Sequence, residues 1–263
     1  MIDQRQDMLP SEQASETGIG AAPTLLQRVS PAAFAIISLC LVFFLYQVVG
    51  GIATLLLFRG EVNADNVQSI RVATLVGQLV FILLPTLILV RRRYPESRGF
   101  FRLKVPHTRE LLLTTVAVFA LQQLLQGYMM VQGLIPFPSE VQHFIDEFKK
   151  LFEETYKVLV SAYSPMEFAF VILVIAITPA ISEELLFRGL VQRSLERSTS
   201  GFRAAIIAGV IFGVYHMNPF SVVPLAALGV YFGFIVYRSQ NTVLAIAAHF
   251  FNNFIASTAV YLQ

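Results

Sequence analysis

Long apolar runs are the feature that most constrains what this chain can fold into. A helix of about 20 apolar residues crosses the hydrocarbon core of a bilayer, and seven such windows can be marked along the sequence. Charged residues are only 14% of the chain, whereas an ordinary soluble domain has about 25%. We therefore predict an all-α fold, a polytopic transmembrane helix bundle. The predicted windows are approximately 32–58, 70–90, 111–131, 166–191, 202–216, 220–237 and 242–262.

The sequence divides into three parts. Residues 1–30 are polar and lack the basic start and short apolar core of a cleavable signal peptide, so we expect a flexible tail. Residues 31–164 are expected to contain the first membrane helices and an amphipathic loop helix. Residues 165–263 are expected to contain the catalytic membrane helices.

Basic residues in the loops predict the orientation of the bundle. The segment 91–109 is the most basic in the chain, and it is expected on the cytoplasmic side. An alternating path places Arg193, Arg197, Arg203 and Arg238 on that same side. The prediction is a multi-pass protein of a bacterial cell membrane, with its N-terminus in the cytoplasm.

The loop from 132 to 164 contains a segment with helical periodicity, residues 139–160. Its apolar positions are Val141, Phe144, Ile145, Phe148, Leu151 and Phe152. This spacing predicts an amphipathic helix that lies on the membrane surface or over the bundle. A solvated loop helix has the same pattern, so both interpretations stay open at this point.

The window 166–191 contains Glu183, Glu184 and Arg188 within two helical turns. A charge at the centre of a bilayer costs about 2.5–3.5 kcal/mol on insertion scales. The presence of these three residues in a membrane helix therefore requires a functional or structural explanation. Glu184 and Arg188 are four residues apart and can pair on one helix face. Glu183 points away from that face and is left available, while Pro179 can kink the helix one turn earlier. The alternative is a buried ion pair that only fixes helix packing.

The later apolar windows contain His216, His249 and Asn253, of which His249 and Asn253 are four residues apart and share a helix face. Asn252, one position off, is a weaker candidate for that face. At 1.5 Å per residue, Glu183, His216 and Asn253 lie about 18–21 Å from the predicted cytoplasmic ends of their helices, and His249 about 12 Å. The spacing therefore predicts that polar groups from three helices meet near one level of the membrane.

A set of this kind suits the hydrolysis of an amide by water. A carboxylate and a histidine can hold and deprotonate a water molecule, and a second histidine with an asparagine can donate to an oxyanion. No serine or cysteine lies in a comparable constellation. A zinc hydrolase is an alternative, although no HExxH pair is present, and a proton-relay transporter is another. We expect no metal, no cofactor and no nucleic-acid partner.

The motifs resemble those of the CPBP (Abi) family, which includes the type II CAAX prenyl proteases and bacteriocin-processing or immunity proteins. The resemblance rests on Glu183-Glu184-x-x-x-Arg188, Phe212-x-x-x-His216 and His249-x-x-x-Asn253, in this order. It covers roughly residues 166–261.

The resemblance implies an intramembrane glutamic endopeptidase. Glu183 with His216 would activate the water, His249 with Asn253 would line the oxyanion site, and Glu184 with Arg188 would support them. It implies a lipidated or membrane-associated peptide or protein as the substrate, within the lipid bilayer. A non-proteolytic bacteriocin-immunity or membrane-interaction protein is the alternative that the family offers. Neither a single substrate nor an oligomeric state is specified.

Overall fold

A computed structural model describes residues 25–95 and 99–262, and every regular element in this part of the chain is a helix. The all-α prediction is therefore confirmed. We count α-helical and π-helical turns that follow one another without a break as one helix. The helices are α1 Leu25–Arg28, α2 Pro31–Phe58, α3 Val67–Arg93, α4 Thr108–Gln132, α5 Ser139–Val160, α6 Pro165–Leu195, α7 Gly201–Tyr215, α8 Val222–Ser239 and α9 Thr242–Tyr261.

Each predicted apolar window corresponds to one helix, α2 to α4 and α6 to α9. The largest difference at any end is four residues, where α6 continues to Leu195 instead of ending at Val191. Six of the helices are long and apolar enough to cross a membrane. The seventh, α7, has 15 residues, or about 22 Å, and is shorter than the roughly 30 Å hydrocarbon core.

The predictions for the loop segment 139–160 and for the N-terminal tail 1–30 compare differently with the structure. The predicted amphipathic segment 139–160 is helical over that whole range, as α5. Residues 1–24 of the predicted tail lie outside the described residues. The end of the tail is not irregular, because α1 is helical and both Leu26 and Val29 pack against the core.

Capping residues determine where α6 and α9 begin. These two helices carry most of the predicted site residues. Ser164 precedes α6, and its hydroxyl accepts a hydrogen bond from the Glu167 amide at 3.2 Å. Asn241 precedes α9 and accepts from the Val243 amide at 3.1 Å. Such caps satisfy amide groups that the first helical turn leaves without a partner. The register of α6 and α9 is therefore set by short local signals.

The most enclosed membrane helix is α6. In its most apolar 18-residue window 67% of the residues are buried, against 11–33% in the other candidate spans. Helices α2, α3, α7, α8 and α9 all pack against it. Charged side chains on α6 consequently face protein and not lipid.

Helices α7 and α8 pack backbone against backbone. A Cβ atom on Gly209 would overlap backbone atoms of Val230, and one on Gly213 would lie 2.6 Å from the Ala226 nitrogen. From the other helix, a Cβ on Gly229 would lie 2.5 Å from the Gly209 carbonyl oxygen. Small residues four apart permit this close approach in membrane bundles. The α7–α8 contact therefore depends on glycine at these positions.

The first prediction concerns this contact. Gly209→Ala should lower the stability of the protein by about 1–3 kcal/mol, because the new methyl group forces the two backbones apart. The matched control is Gly127→Ala in α4, where an added Cβ meets nothing within 4 Å, and it should leave stability equal or slightly higher. The measurement is the midpoint of thermal unfolding in detergent. Equal midpoints for the two variants would contradict the prediction.

Candidate active site

Two neighbouring carboxylates on α6 lie in different environments. Glu184 is fully buried, and its Oε1 accepts hydrogen bonds from its own helix and from α9. Glu183 faces a cavity, and its Oε2 is buried without a hydrogen-bond partner in the described part of the chain. Successive residues of a helix point about 100° apart, which separates the two side chains. One carboxylate is therefore fixed and the other is open.

Glu184 joins two partners through a single oxygen atom. Arg188 Nη1 donates to Glu184 Oε1 at 2.8 Å, and His249 Nδ1 donates to the same oxygen at 2.9 Å. Arg188 also donates from Nη2 to the Gly229 carbonyl oxygen at 2.6 Å. The predicted Glu184–Arg188 pair is present, and it extends to α8 and α9. The network holds three helices at fixed distances from one another.

The Arg188 guanidinium is enclosed by aromatic rings. Its carbon Cζ lies 4.8 Å from the ring centre of Phe212 and 5.3 Å from that of Phe232. Phe232 also stacks on the imidazole of His249 at 5.4 Å. Aromatic faces attract cations, so these rings stabilise the charge that they enclose. They also hold His249 in one orientation.

Glu183 and His216 face each other across a short gap. Glu183 Oε2 and His216 Nε2 are 3.7 Å apart, which is longer than a hydrogen bond. His216 Nδ1 lies 2.7 Å from the Phe212 carbonyl oxygen. A carbonyl oxygen only accepts, so Nδ1 carries the hydrogen and the neutral ring has a free lone pair on Nε2. Two acceptor atoms thus point at the same small space.

Asn253 bonds to the backbone of α6 one turn before Pro179. Proline has no amide hydrogen, so a carbonyl of the preceding turn loses its helical donor, and in α-helical register this is the carbonyl of Ile175, four residues earlier. Asn253 Nδ2 donates to that carbonyl oxygen at 3.0 Å. Asn252 donates in turn to Asn253 Oδ1, also at 3.0 Å. Asn253 was predicted as an oxyanion donor, and the structure shows that one of its two amide hydrogens serves the helix.

One cavity of about 250 Å³ contains the predicted residues Glu183, His216, His249 and Asn253 in its wall. Glu184 and Arg188 lie behind this wall, fully or almost fully buried. The remaining wall consists of Gln78, Tyr156, Val174, Ile175, Pro179, Phe212, Leu225, Leu228, Phe232 and Asn252. The structure therefore brings together all the residues that were singled out in the sequence.

Two polar residues in this wall were missed in the sequence. Gln78, on α3, accepts a hydrogen bond from the Ser182 hydroxyl at 2.8 Å, and Tyr156 reaches the cavity from α5. Gln78 could have been identified from the sequence as a candidate site residue, because it is a lone glutamine inside the apolar window 70–90. Tyr156 carried none, since tyrosine is common on amphipathic helices.

No three His, Cys, Asp or Glu side chains in residues 25–95 and 99–262 are arranged to hold a metal ion. Removal of metal ions provides the test of the zinc alternative.

The second prediction concerns the buried ion pair. Arg188→Met should destabilise the protein by about 3–5 kcal/mol, because it leaves a buried carboxylate with only an imidazole partner. The double variant Glu184→Gln/Arg188→Met should recover a large part of that loss, because no uncompensated charge remains. Thermal unfolding midpoints in detergent measure both effects. A double variant no more stable than Arg188→Met would contradict the charge argument.

The third prediction concerns the carbonyl of Ile175. Asn253→Ala should cost about 1–3 kcal/mol, because it leaves that buried oxygen without a donor. In a Pro179→Ala background the backbone amide hydrogen is restored, so the same substitution should cost much less. The comparison of unfolding midpoints across this double-mutant cycle is the measurement. Equal costs in the two backgrounds would show that Asn253 does not substitute for the missing amide.

Comparisons with known proteins concern the part of the chain that forms this site. Residues 165–255 match the family described as type II CAAX prenyl endopeptidase Rce1-like. A Bacillus subtilis (strain 168) protein, "Putative membrane peptidase YdiL", is 33% identical over 82 residues, which are 31% of this chain and 34% of that relative. No solved structure matches the chain. Residues 165–255 are therefore similar to CAAX-protease-like proteins, and the apolar helices indicate an integral membrane protein.

Proposed function

We propose that this protein is an intramembrane endopeptidase in which a glutamate and a histidine activate water. The observation that carries the proposal is that Glu183 Oε2 lies 3.7 Å from His216 Nε2 and that both side chains line one cavity. A carboxylate and an imidazole that face the same cavity are the groups that general-base activation of water requires. The similarity of residues 165–255 to the type II CAAX prenyl endopeptidase family supports a peptidase.

A water molecule fits the gap between the two acceptors. It can donate one hydrogen to Glu183 Oε2 and the other to His216 Nε2, because each atom presents a lone pair to the same space. Glu183 is then the general base that takes the proton as the water oxygen attacks, and His216 orients the water. The hydrogen bond to the Phe212 carbonyl keeps the imidazole in the required tautomer.

The opposite wall supplies donors for the developing oxyanion. His249 Nδ1–H is held by Glu184, and the other ring nitrogen, Nε2, would donate to the oxyanion when it also carries a hydrogen. Asn253 keeps a second amide hydrogen beyond the one that Ile175 accepts. Both groups suit stabilisation of a tetrahedral intermediate.

The proposed reaction is an ordinary amide hydrolysis. The water oxygen bonds to the carbonyl carbon, and the carbonyl oxygen becomes the oxyanion while Glu183 holds the proton. The C–N bond then breaks, and Glu183 passes the proton to the leaving nitrogen. The products are a carboxylic acid and an amine, which become a carboxylate and an ammonium when the acid gives its proton to the amine, and the enzyme returns to its starting state.

The surroundings of the cavity support a membrane-associated substrate. Helices of apolar exterior surround the site, so a peptide reaches it by way of the bilayer or its surface. We propose a lipidated or membrane-embedded peptide or protein. The experiment described below also tests whether the substrate carries a prenyl group.

The arrangement of the basic loops supports the proposed orientation. Arg102, in the loop after α3, forms an ion pair with Glu196 at the end of α6, at 2.5 Å. The Arg102 carbonyl also accepts from the amide of Thr242 at the start of α9, at 3.1 Å. The basic ends of these helices therefore lie at one end of the bundle. By the preference of basic loops for the inner side, we propose that this end is cytoplasmic.

The fourth prediction tests the catalytic role. Glu183→Gln keeps the size of the side chain and removes the base, so cleavage should be lost while the protein stays folded and inserted. The matched control is Glu147→Gln, an exposed acid on α5, which should cleave like wild type. Cells expressing each form at matched levels are compared by mass spectrometry of membrane-protein termini.

The outcomes of that comparison distinguish the glutamate peptidase from the two alternatives. New termini with wild type and the Glu147→Gln control alone support the peptidase and identify its substrates, and the sequences around the cut show whether a lipidated cysteine is present. Identical termini for all three proteins would overturn the peptidase and favour the immunity or membrane-interaction alternative. If a chelator abolishes the cleavage and added zinc restores it, the zinc mechanism replaces the glutamate one.

A further inference from the structure

Helix α5 presents an apolar stripe that residues 25–95 and 99–262 leave uncovered. The stripe consists of Val141, Phe144, Phe148 and Leu151, whose side chains are 45%, 60%, 40% and 61% exposed. The rings of Phe144 and Phe148 lie against each other with centres 4.7 Å apart. A contiguous exposed apolar surface of this kind marks an interaction site.

A different edge of α5 contacts the bundle. The Lys149 ammonium lies 5.6 Å from the ring centre of Phe220, in the turn between α7 and α8, and Tyr156 lines the active-site cavity. Lys149 is about 100° around the helix from Phe148. The bundle therefore covers one flank of the helix and leaves the stripe open.

Both ends of α5 are tied to membrane-crossing helices. The connector from α4 is only 133–138, and the one to α6 only 161–164. At the second end the buried Arg71 of α3 donates to the carbonyls of Leu159, at 2.9 Å, and of Ser161, and forms an ion pair with Glu167 at 2.7 Å. The C-terminal end of α5 is thereby held at the ends of α3 and α6. The helix stays close to the level at which the spans leave the bilayer.

The apolar surface is continuous from α4 into α5. Exposed apolar side chains follow one another at the end of α4 and through the connector, at Met130, Val131, Leu134, Ile135 and Phe137. The end of α4 faces lipid, because α4 is a candidate span with only 11% of its window buried. The stripe on α5 thus extends a surface that already contacts lipid.

The charges of α5 lie on the face opposite the stripe. Counting Asp, Glu and Lys from Ser139 to Val160 gives five acids and three bases, a formal charge of −2. Attraction to anionic headgroups therefore does not drive docking, and burial of apolar surface does.

We propose that α5 is an interfacial helix that buries this stripe at the boundary between lipid headgroups and acyl chains. Its polar face then points to water, and its bundle edge forms a side of the active-site cavity through Tyr156. The inference goes beyond the proposed function and does not depend on it. Docked lipid then acts together with the contacts of Arg71 to set the height of this cavity wall.

The chain contains no tryptophan, which allows a direct test. Phe148→Trp places one fluorophore on the stripe, and Lys150→Trp places one about 200° away on the polar face. Each full-length variant is reconstituted in phosphatidylcholine vesicles, with or without lipids brominated near the glycerol end of the acyl chain. Iodide in the buffer reports exposure to water. Phe144→Trp serves as a second reporter on the stripe.

The expected result is opposite behaviour of the two faces. Phe148→Trp and Phe144→Trp should emit further to the blue and lose intensity with brominated lipid, while Lys150→Trp should lose intensity with iodide alone. Quenching of all three variants by iodide alone would overturn the proposal in favour of a solvated helix. Protection of the stripe from both quenchers would overturn it in favour of a protein partner, such as a second copy of the chain.

Discussion

A single buried carboxylate oxygen organises the centre of this protein. Glu184 Oε1 is shared by Arg188, one turn further along α6, and by His249 from α9. A charge in an apolar interior is tolerated only when it is paired and hydrogen-bonded. Since Arg188 also donates to the Gly229 carbonyl of α8, three helices must pack in one arrangement to meet this requirement. The positions of His249 and Phe232 in the cavity wall follow from that arrangement.

The neighbouring carboxylate, that of Glu183, is not part of this hydrogen-bond network. Glu183 has the same side chain, one position earlier, yet it faces the cavity and His216. An active site of the proposed kind needs both situations at once: a fixed charge that orients an imidazole, and a free acceptor for water. The adjacency of two glutamates on one helix supplies both with a single kink, at Pro179.

The sequence predicted what depends on local spacing. Apolar windows located the membrane helices, and four-residue spacing predicted the Glu184–Arg188 pair. The partner of each histidine was not predictable from the residues alone, because it depends on which helices are neighbours. The bond from Asn253 to Ile175 required knowing that α9 lies beside the proline break in α6. The contact between α7 and α8 does have a sequence signal, because Gly209 and Gly213 are four residues apart on one helix face.

The shared carboxylate also has a consequence for how the chain is made. Glu184 and its partner His249 are 65 residues apart in the sequence, and α7 and α8 lie between their helices. Membrane helices are synthesised in order, so α6 enters the bilayer with its charged pair before α9 exists. During that interval the pair has one partner too few and the cavity lacks a wall. Completion of the charge cluster and completion of the bundle are thus the same event, which prevents the site from forming in an unfinished chain.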